Sequence, residues 1–123
     1  MALSGIDFEQ LARGGFPLQR FEPDACIFMQ DDEGKCMYVV RSGKVAIVAS
    51  GAILENVGPN GIFGEMSLID GSPRSATAIA REATEVAMID ERSFLYLVEK
   101  NPAFALDLLR RLAQRLRRTN ESL

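Results

Sequence analysis

Hydrophobic and polar positions divide the chain into three textures. From Phe16 to Asp90 the apolar residues come in short runs, at 26–29, 37–40, 45–49, 53–57, 76–80 and 85–89, rich in Val, Ile and Phe. Turn-forming clusters separate them: Asp31-Asp32-Glu33-Gly34, Ser42-Gly43, Ser50-Gly51 and Gly58-Pro59-Asn60-Gly61. Short strands punctuated in this way predict an antiparallel sandwich or roll. Residues 45–49, directly after Ser42-Gly43, predict the second arm of a hairpin. Ahead of this region, residues 1–15 set Ile6, Phe8 and Leu11 among polar neighbours, with Ser4 or Asp7 to cap and Gly14-Gly15 to stop, which predicts a short amphipathic helix. Behind it, residues 91–100 predict a helix ended by Asn101-Pro102, because the residue before proline avoids the helical region and proline suits a first helical position. A longer helix follows from Pro102 to about Asn120. Its Ala105, Leu109, Leu112 and Leu116 step by four, three and four, a heptad seam that needs a partner. The chain's own roll and a second copy of the chain both qualify.

Composition narrows the function classes. A chain of 123 residues, 47% hydrophobic and 25% charged, predicts a single folded domain over 1–123. Its apolar runs are too short to span a membrane and its first residues lack the regions of a signal peptide, so a cytoplasmic protein is expected, with no membrane partner. There is no histidine. That removes Ser-His and Cys-His catalysis and imidazole metal ligation together, and no enzyme is expected. The two cysteines, Cys26 and Cys36, match no metal-ligand spacing and read as free thiols, so neither metal nor cofactor is expected. Charge is uneven: residues 1–109 carry a net −7, and residues 110–123 carry five arginines and one glutamate. An acidic body argues against broad nucleic-acid binding, which needs a basic face. The arginines at 110, 111, 115, 117 and 118 are expected on a solvated helix face, where they also suit the negative end of the helix dipole.

Residues 61–80 carry the candidate chemistry: Gly61-Ile-Phe-Gly-Glu-Met-Ser-Leu-Ile-Asp-Gly-Ser-Pro-Arg-Ser-Ala-Thr-Ala-Ile-Ala80. Glycines permit a tight turn, one helical turn follows at 65–69, and a loop then delivers Arg74-Ser75 to the start of a strand. Free amides at a helix start with an arginine beyond the loop suit an anion such as phosphate. A carboxylate beside a bound phosphate would repel it, so Glu65 needs another task, and accepting from a sugar hydroxyl is the natural one. Phosphate and sugar together point to a nucleotide.

The stretch from Phe63 to Thr77 resembles the phosphate-binding cassette of the cyclic-nucleotide-binding domain family, found in catabolite activator proteins, protein kinase A regulatory subunits and cyclic-nucleotide-gated channels. Met37-Tyr-Val-Val-Arg-Ser-Gly-Lys-Val-Ala-Ile47 resembles the family's strand–glycine–strand hairpin, and Phe21-Glu-Pro-Asp-Ala-Cys-Ile-Phe28 its opening strands. The resemblance implies a mainly β fold: a short N-terminal helix over 1–15, an eight-stranded antiparallel, jelly-roll-like β-roll over 16–90 with the cassette at 61–77, and two C-terminal helices over 91–120. It implies a non-enzymatic receptor for cAMP, with cGMP as the alternative ligand, which signals through movement of its C-terminal helix. Carried over, Arg74 pairs with the phosphate, Glu65 accepts from the ribose 2′-hydroxyl, Gly64 lets the backbone approach, and Ser75 and Ala76 complete the phosphate contacts. Ile47, Val57 and Ile62 fall where roll residues line the pocket. The family's DNA-binding helix-turn-helix has no counterpart in these 123 residues, so direct nucleic-acid binding is not expected of them. A roll that has lost its ligand and serves as an interaction or dimerisation module is the alternative.

Overall fold

The computed structural model describes residues 16–121. The helix expected over 1–15 lies outside the described residues. Eight strands form: β1 (Leu18–Phe21), β2 (Cys26–Phe28), β3 (Cys36–Ser42), β4 (Val45–Ala49), β5 (Ala52–Val57), β6 (Ile62–Phe63), β7 (Thr77–Ala80) and β8 (Thr84–Asp90). They make two four-stranded antiparallel sheets, ordered β1-β8-β3-β6 and β2-β7-β4-β5. Three helices accompany them: α1 (Glu65–Asp70), α2 (Glu91–Lys100) and α3 (Pro102–Glu121). The expected roll with two C-terminal helices is present. Strands β1 and β6 were not apparent from the apolar runs, since Leu18-Gln-Arg-Phe21 is largely exposed and β6 is only two residues long.

The run at 37–40 is apolar throughout because β3 is covered on both faces. Side chains alternate along a strand, so Met37 and Val39 enter one core with Ile62, Ala87, Ile89, Phe104 and Leu108, beneath the C-terminal helices. Tyr38 and Val40 enter the other, between the sheets, with Val45, Val57, Phe63, Ala78 and Val86. Phe104 and Leu108 dock α3 on the roll, each buried to 3% exposure or less; burial of such a side chain stabilises by roughly 1.5–3 kcal/mol.

That docking selects a different stripe of α3 from the predicted seam. Phe104, Leu108 and Arg111 are buried, Leu112 packs against the core from the edge, and Leu109 and Leu116 are each 62% exposed. Residues 104, 108, 111 and 115 step by four, three and four as well, one position earlier than the seam, and this stripe includes two arginines. The expectation of a solvated arginine face is therefore corrected at Arg111, which is 3% exposed, and at the half-buried Arg115. Arg110, Arg117 and Arg118 are exposed.

Candidate functional site

Helix α1 is preceded by Gly64 at its N-cap, whose φ of +76° is the left-handed conformation that glycine adopts without strain. The chain thereby turns sharply out of β6 and delivers Glu65 into the interior, where it is 1% exposed. Gly71 (φ +72°) closes the helix with its N–H donating to Ser67 O at 3.0 Å, and Asp70 accepts from the Ser72 amide and hydroxyl, which holds its carboxyl below the usual range. Residues 72–76 then run back to β7. Arg74 is locked there by its own backbone: its N–H donates to Asp32 O at 2.8 Å and its carbonyl accepts from Asp31 N–H at 2.8 Å.

The Arg74 guanidinium is 4% exposed and lies 4.2 Å from the Phe28 ring centroid and 5.7 Å from that of Tyr38. Tyr38 is itself stacked on Phe63, centroids 5.0 Å apart, and burial pushes its hydroxyl well above the usual phenol range. Arg74 Nη1 donates to Gly64 O and Nη2 to Cys36 O, both at 2.8 Å. Its Nε is buried without a partner, and no carboxylate lies within 4 Å of the group among the described residues. A buried cation costs several kcal/mol unless it is paired, and a guanidinium has five N–H donors. Backbone carbonyls and an aromatic face offset part of that cost. An anion would complete it.

Glu65 makes no pair with Arg74. Its Oε1 accepts from Arg115 Nη1 of α3 at 2.8 Å, while Arg115 Nη2 lies 3.3 Å from Glu55 Oε2 on β5. Arg111 Nη2 donates to Glu55 Oε1 at 2.8 Å and to Ile62 O at 2.9 Å. Two arginines of the last helix thus meet two carboxylates of the roll at the rim of the site.

Gly64, Glu65, Arg74, Ser75, Ala76 and Ile47 line one cleft with about 70 Å³ of space, together with Phe28, Glu55, Phe63 and Arg115. Five of these, Gly64, Glu65, Arg74, Ser75 and Ala76, are the candidate ligand residues of the sequence. Of the three proposed wall residues only Ile47 lies on the cleft. Val57 belongs to the core between the sheets and Ile62 to the core under α3, where apolar strand positions pack by default. A wider groove runs along the other side of α1, lined by Glu33, Lys35, Leu95 and Tyr96 among others; it includes neither Arg74 nor Glu65.

Sequence reading missed the residues that distant segments bring to Arg74 and Glu65. A Cβ on Gly34 would stand 2.3 Å from Arg74 Nε, so this glycine, read only as a turn residue, is what lets the loop close on the guanidinium. Phe28 and Tyr38 looked like ordinary strand aromatics. Arg111 and Arg115 did carry a signal, their four-residue spacing in register with Phe104 and Leu108.

Two four-stranded sheets, a glycine-led turn beside a buried arginine, and a final helix packed on the roll define a β-roll of the cyclic nucleotide-binding kind. The chain belongs to the cyclic nucleotide-binding domain family, whose model matches residues 18–101. It is 38% identical over 112 residues to the cyclic AMP receptor protein of Thermus thermophilus, covering 87% of this chain and 52% of that protein. The structure of the Thermus thermophilus catabolite activator protein superposes with a TM-score of 0.84 at 35% identity, over 98% of this chain and 60% of the other. A structure described with a cyclic-GMP-dependent signalling pathway of bacterial phytopathogenesis superposes with a TM-score of 0.77 at 25% identity, over 94% and 96%. The chain spans about half the length of the curated relatives it matches.

Proposed function

We propose that this chain is the receptor part of a cytoplasmic regulator, that its physiological ligand is cAMP, and that it transmits binding through α3 without catalysing a reaction. The observation that carries the ligand site is Arg74: a buried guanidinium with no carboxylate partner among the described residues, an unpartnered Nε, and the cleft-lining Ser75 and Ala76 beside it in sequence. A cyclic phosphate would supply the missing charge. The ribose 2′-hydroxyl would donate to Glu65, whose Oε1 is already held by Arg115, and Gly64 would admit the sugar edge close to the backbone. The choice of cAMP over cGMP is supported by the likeness to a cyclic AMP receptor protein.

Signalling through α3 is supported by the Glu65–Arg115 contact, since a ligand that engages Glu65 acts directly on a side chain of that helix. A ligand shifts a two-state element only by its differential contact with the two states, and Arg115 is where such contact arises. The exposed Leu109 and Leu116 support self-association along α3, with Ala105 and the edge of Leu112 completing the seam. DNA binding, if the whole protein has it, would reside outside these residues.

Arg74→Ala tests the reading. Loss of one side of a desolvated charge pair costs about 2–5 kcal/mol, roughly 30- to several thousand-fold in affinity, read by calorimetric titration with cAMP. Sequence alone suggests that the fold would be untouched, but the carbonyls of Gly64 and Cys36 lose their donor. A drop in melting temperature is therefore expected too, and Arg74→Lys, which keeps the charge, separates the two effects. Wild type that gains no affinity or thermal stability from any cyclic nucleotide would leave the interaction-module alternative standing.

A further inference from the structure

Among the described residues, Glu55 is the one carboxylate in the cleft that the phosphate and ribose roles leave unused. It sits on β5 opposite Ile47 of β4, and both of its oxygens face α3: Oε1 accepts from Arg111 at 2.8 Å, and Oε2 lies 3.3 Å from Arg115 Nη2. The contacts close a circuit. Arg111 reaches from Glu55 to Ile62 O, and Arg115 reaches from Glu55 to Glu65, so both arginines end on the same segment, residues 62–65, with Glu55 as the common brace. Two acids and two bases make the cluster neutral, so it neither attracts nor repels an incoming phosphate.

We infer that Glu55 is a positioning residue: it fixes Arg115 of α3 over Glu65, and so sets how well the site recognises a ribose 2′-hydroxyl. The inference rests on the nucleotide-receptor reading above. Arg111 is 4% exposed at its side chain and forms the enclosed end of the brace, while Arg115, 38% exposed, is the more open end that Glu55 also contacts. A long side chain pinned at one end keeps its rotamer freedom, whereas one pinned at both ends is preorganised. With glutamine at 55, Arg115 loses the charge of one of the two carboxylates it bridges, and its contact with Glu65 Oε1 loses that brace, so the Glu65 carboxylate is aimed less firmly at the sugar. Both Glu55 oxygens are engaged by guanidinium groups, so the route from Glu55 to the ligand runs through Arg115.

The experiment measures affinities for cAMP, 2′-deoxy-cAMP and cGMP by calorimetry in wild type, Glu55→Gln, Arg115→Met and the double variant. The expected result is that Glu55→Gln reduces the preference for cAMP over its 2′-deoxy analogue by about ten-fold, the scale of one charge-assisted hydrogen bond. Arg115→Met should do the same, and the double variant no more than Arg115→Met alone. Glu55→Asp, which keeps the charge at shorter reach, should recover part of the preference and guards against a folding defect in the glutamine variant. An unchanged 2′-deoxy preference in Glu55→Gln overturns the inference, as do losses that multiply in the double variant. So does a shift confined to the ratio of cAMP to cGMP, which would make Glu55 a base-reading residue. Should wild type bind none of the three, the receptor reading falls, and amide exchange of ligand-free α3 still tests the brace: faster exchange around 111–118 in Glu55→Gln supports it, and identical exchange overturns it.

Discussion

Arg74 shows how much of a site one residue can reveal and how much it hides. An arginine after a glycine-led turn and a loop pointed to an anion from sequence alone, and Glu65 pointed to a hydroxyl because it could not serve a phosphate. What holds Arg74 in place was not legible. Gly34, Phe28 and Tyr38 lie 36 to 46 residues before it in the chain, and nothing local marks them as its neighbours. Gly34→Ala would put a methyl carbon 2.3 Å from Nε and 2.5 Å from Cζ of a guanidinium pinned by two carbonyls. The side chain must then shift off the Phe28 face. Affinity for cAMP is expected to fall at least about ten-fold, since each 1.4 kcal/mol is a factor of ten and an off-rotamer shift with a lost hydrogen bond reaches that sum. Calorimetric titration beside a circular dichroism spectrum checks it; unaltered affinity would mean that Arg74 has slack in this site.

Helix α3 makes the corresponding point for an element. Two stripes with the same four-three-four step run along it one residue apart, and periodicity cannot rank them. Packing does: Phe104 brings a larger apolar surface than Ala105, and Arg111 finds Glu55 and a carbonyl, so the stripe with two arginines turns inward. The leucines left outside are the part of the predicted seam that remains free to pair with another copy. Any self-association through the seam is expected to disappear in Leu109→Ala/Leu116→Ala and to resist salt in wild type, because apolar burial is not screened whereas exposed ion pairs are. Sedimentation velocity at low and high salt reads both. Leu112 is left intact in this variant, since it packs against the core and its truncation would also loosen the fold.

Across the whole molecule, acid stability follows from carboxylates whose folded-state partners favour the ionised form. Glu85 is held below its usual range by the Arg20 and Arg41 side chains at 2.8 and 2.6 Å, which tie β1 and the end of β3 to β8. Asp90 is held down by the Ser93 amide that it caps at the start of α2, and Asp70 by Ser72. A depressed folded-state pKa contributes stability that is present above the unfolded value and lost as pH falls through the folded one. Urea midpoints are therefore expected to hold from neutrality down to the ordinary carboxylate range and to drop below it. Glu85→Gln should lower the neutral midpoint and flatten the acid limb; an acid limb of unchanged slope would remove Glu85 from the account.

The sequence by itself determined the class of fold, six of its eight strands and both final helices, and the identity of the phosphate and ribose candidates, because strand alternation, turn chemistry and the cassette are all written within a few consecutive residues. Tertiary structure alone decided which face of α3 is inside, that Ile47 and not Val57 or Ile62 borders the cleft, and that Glu55, Arg111 and Arg115 meet there. Those are contacts between segments about 50 to 60 residues apart in the chain. The energy that selects them is burial and charge pairing summed over the assembled roll, a quantity that no local window of sequence contains.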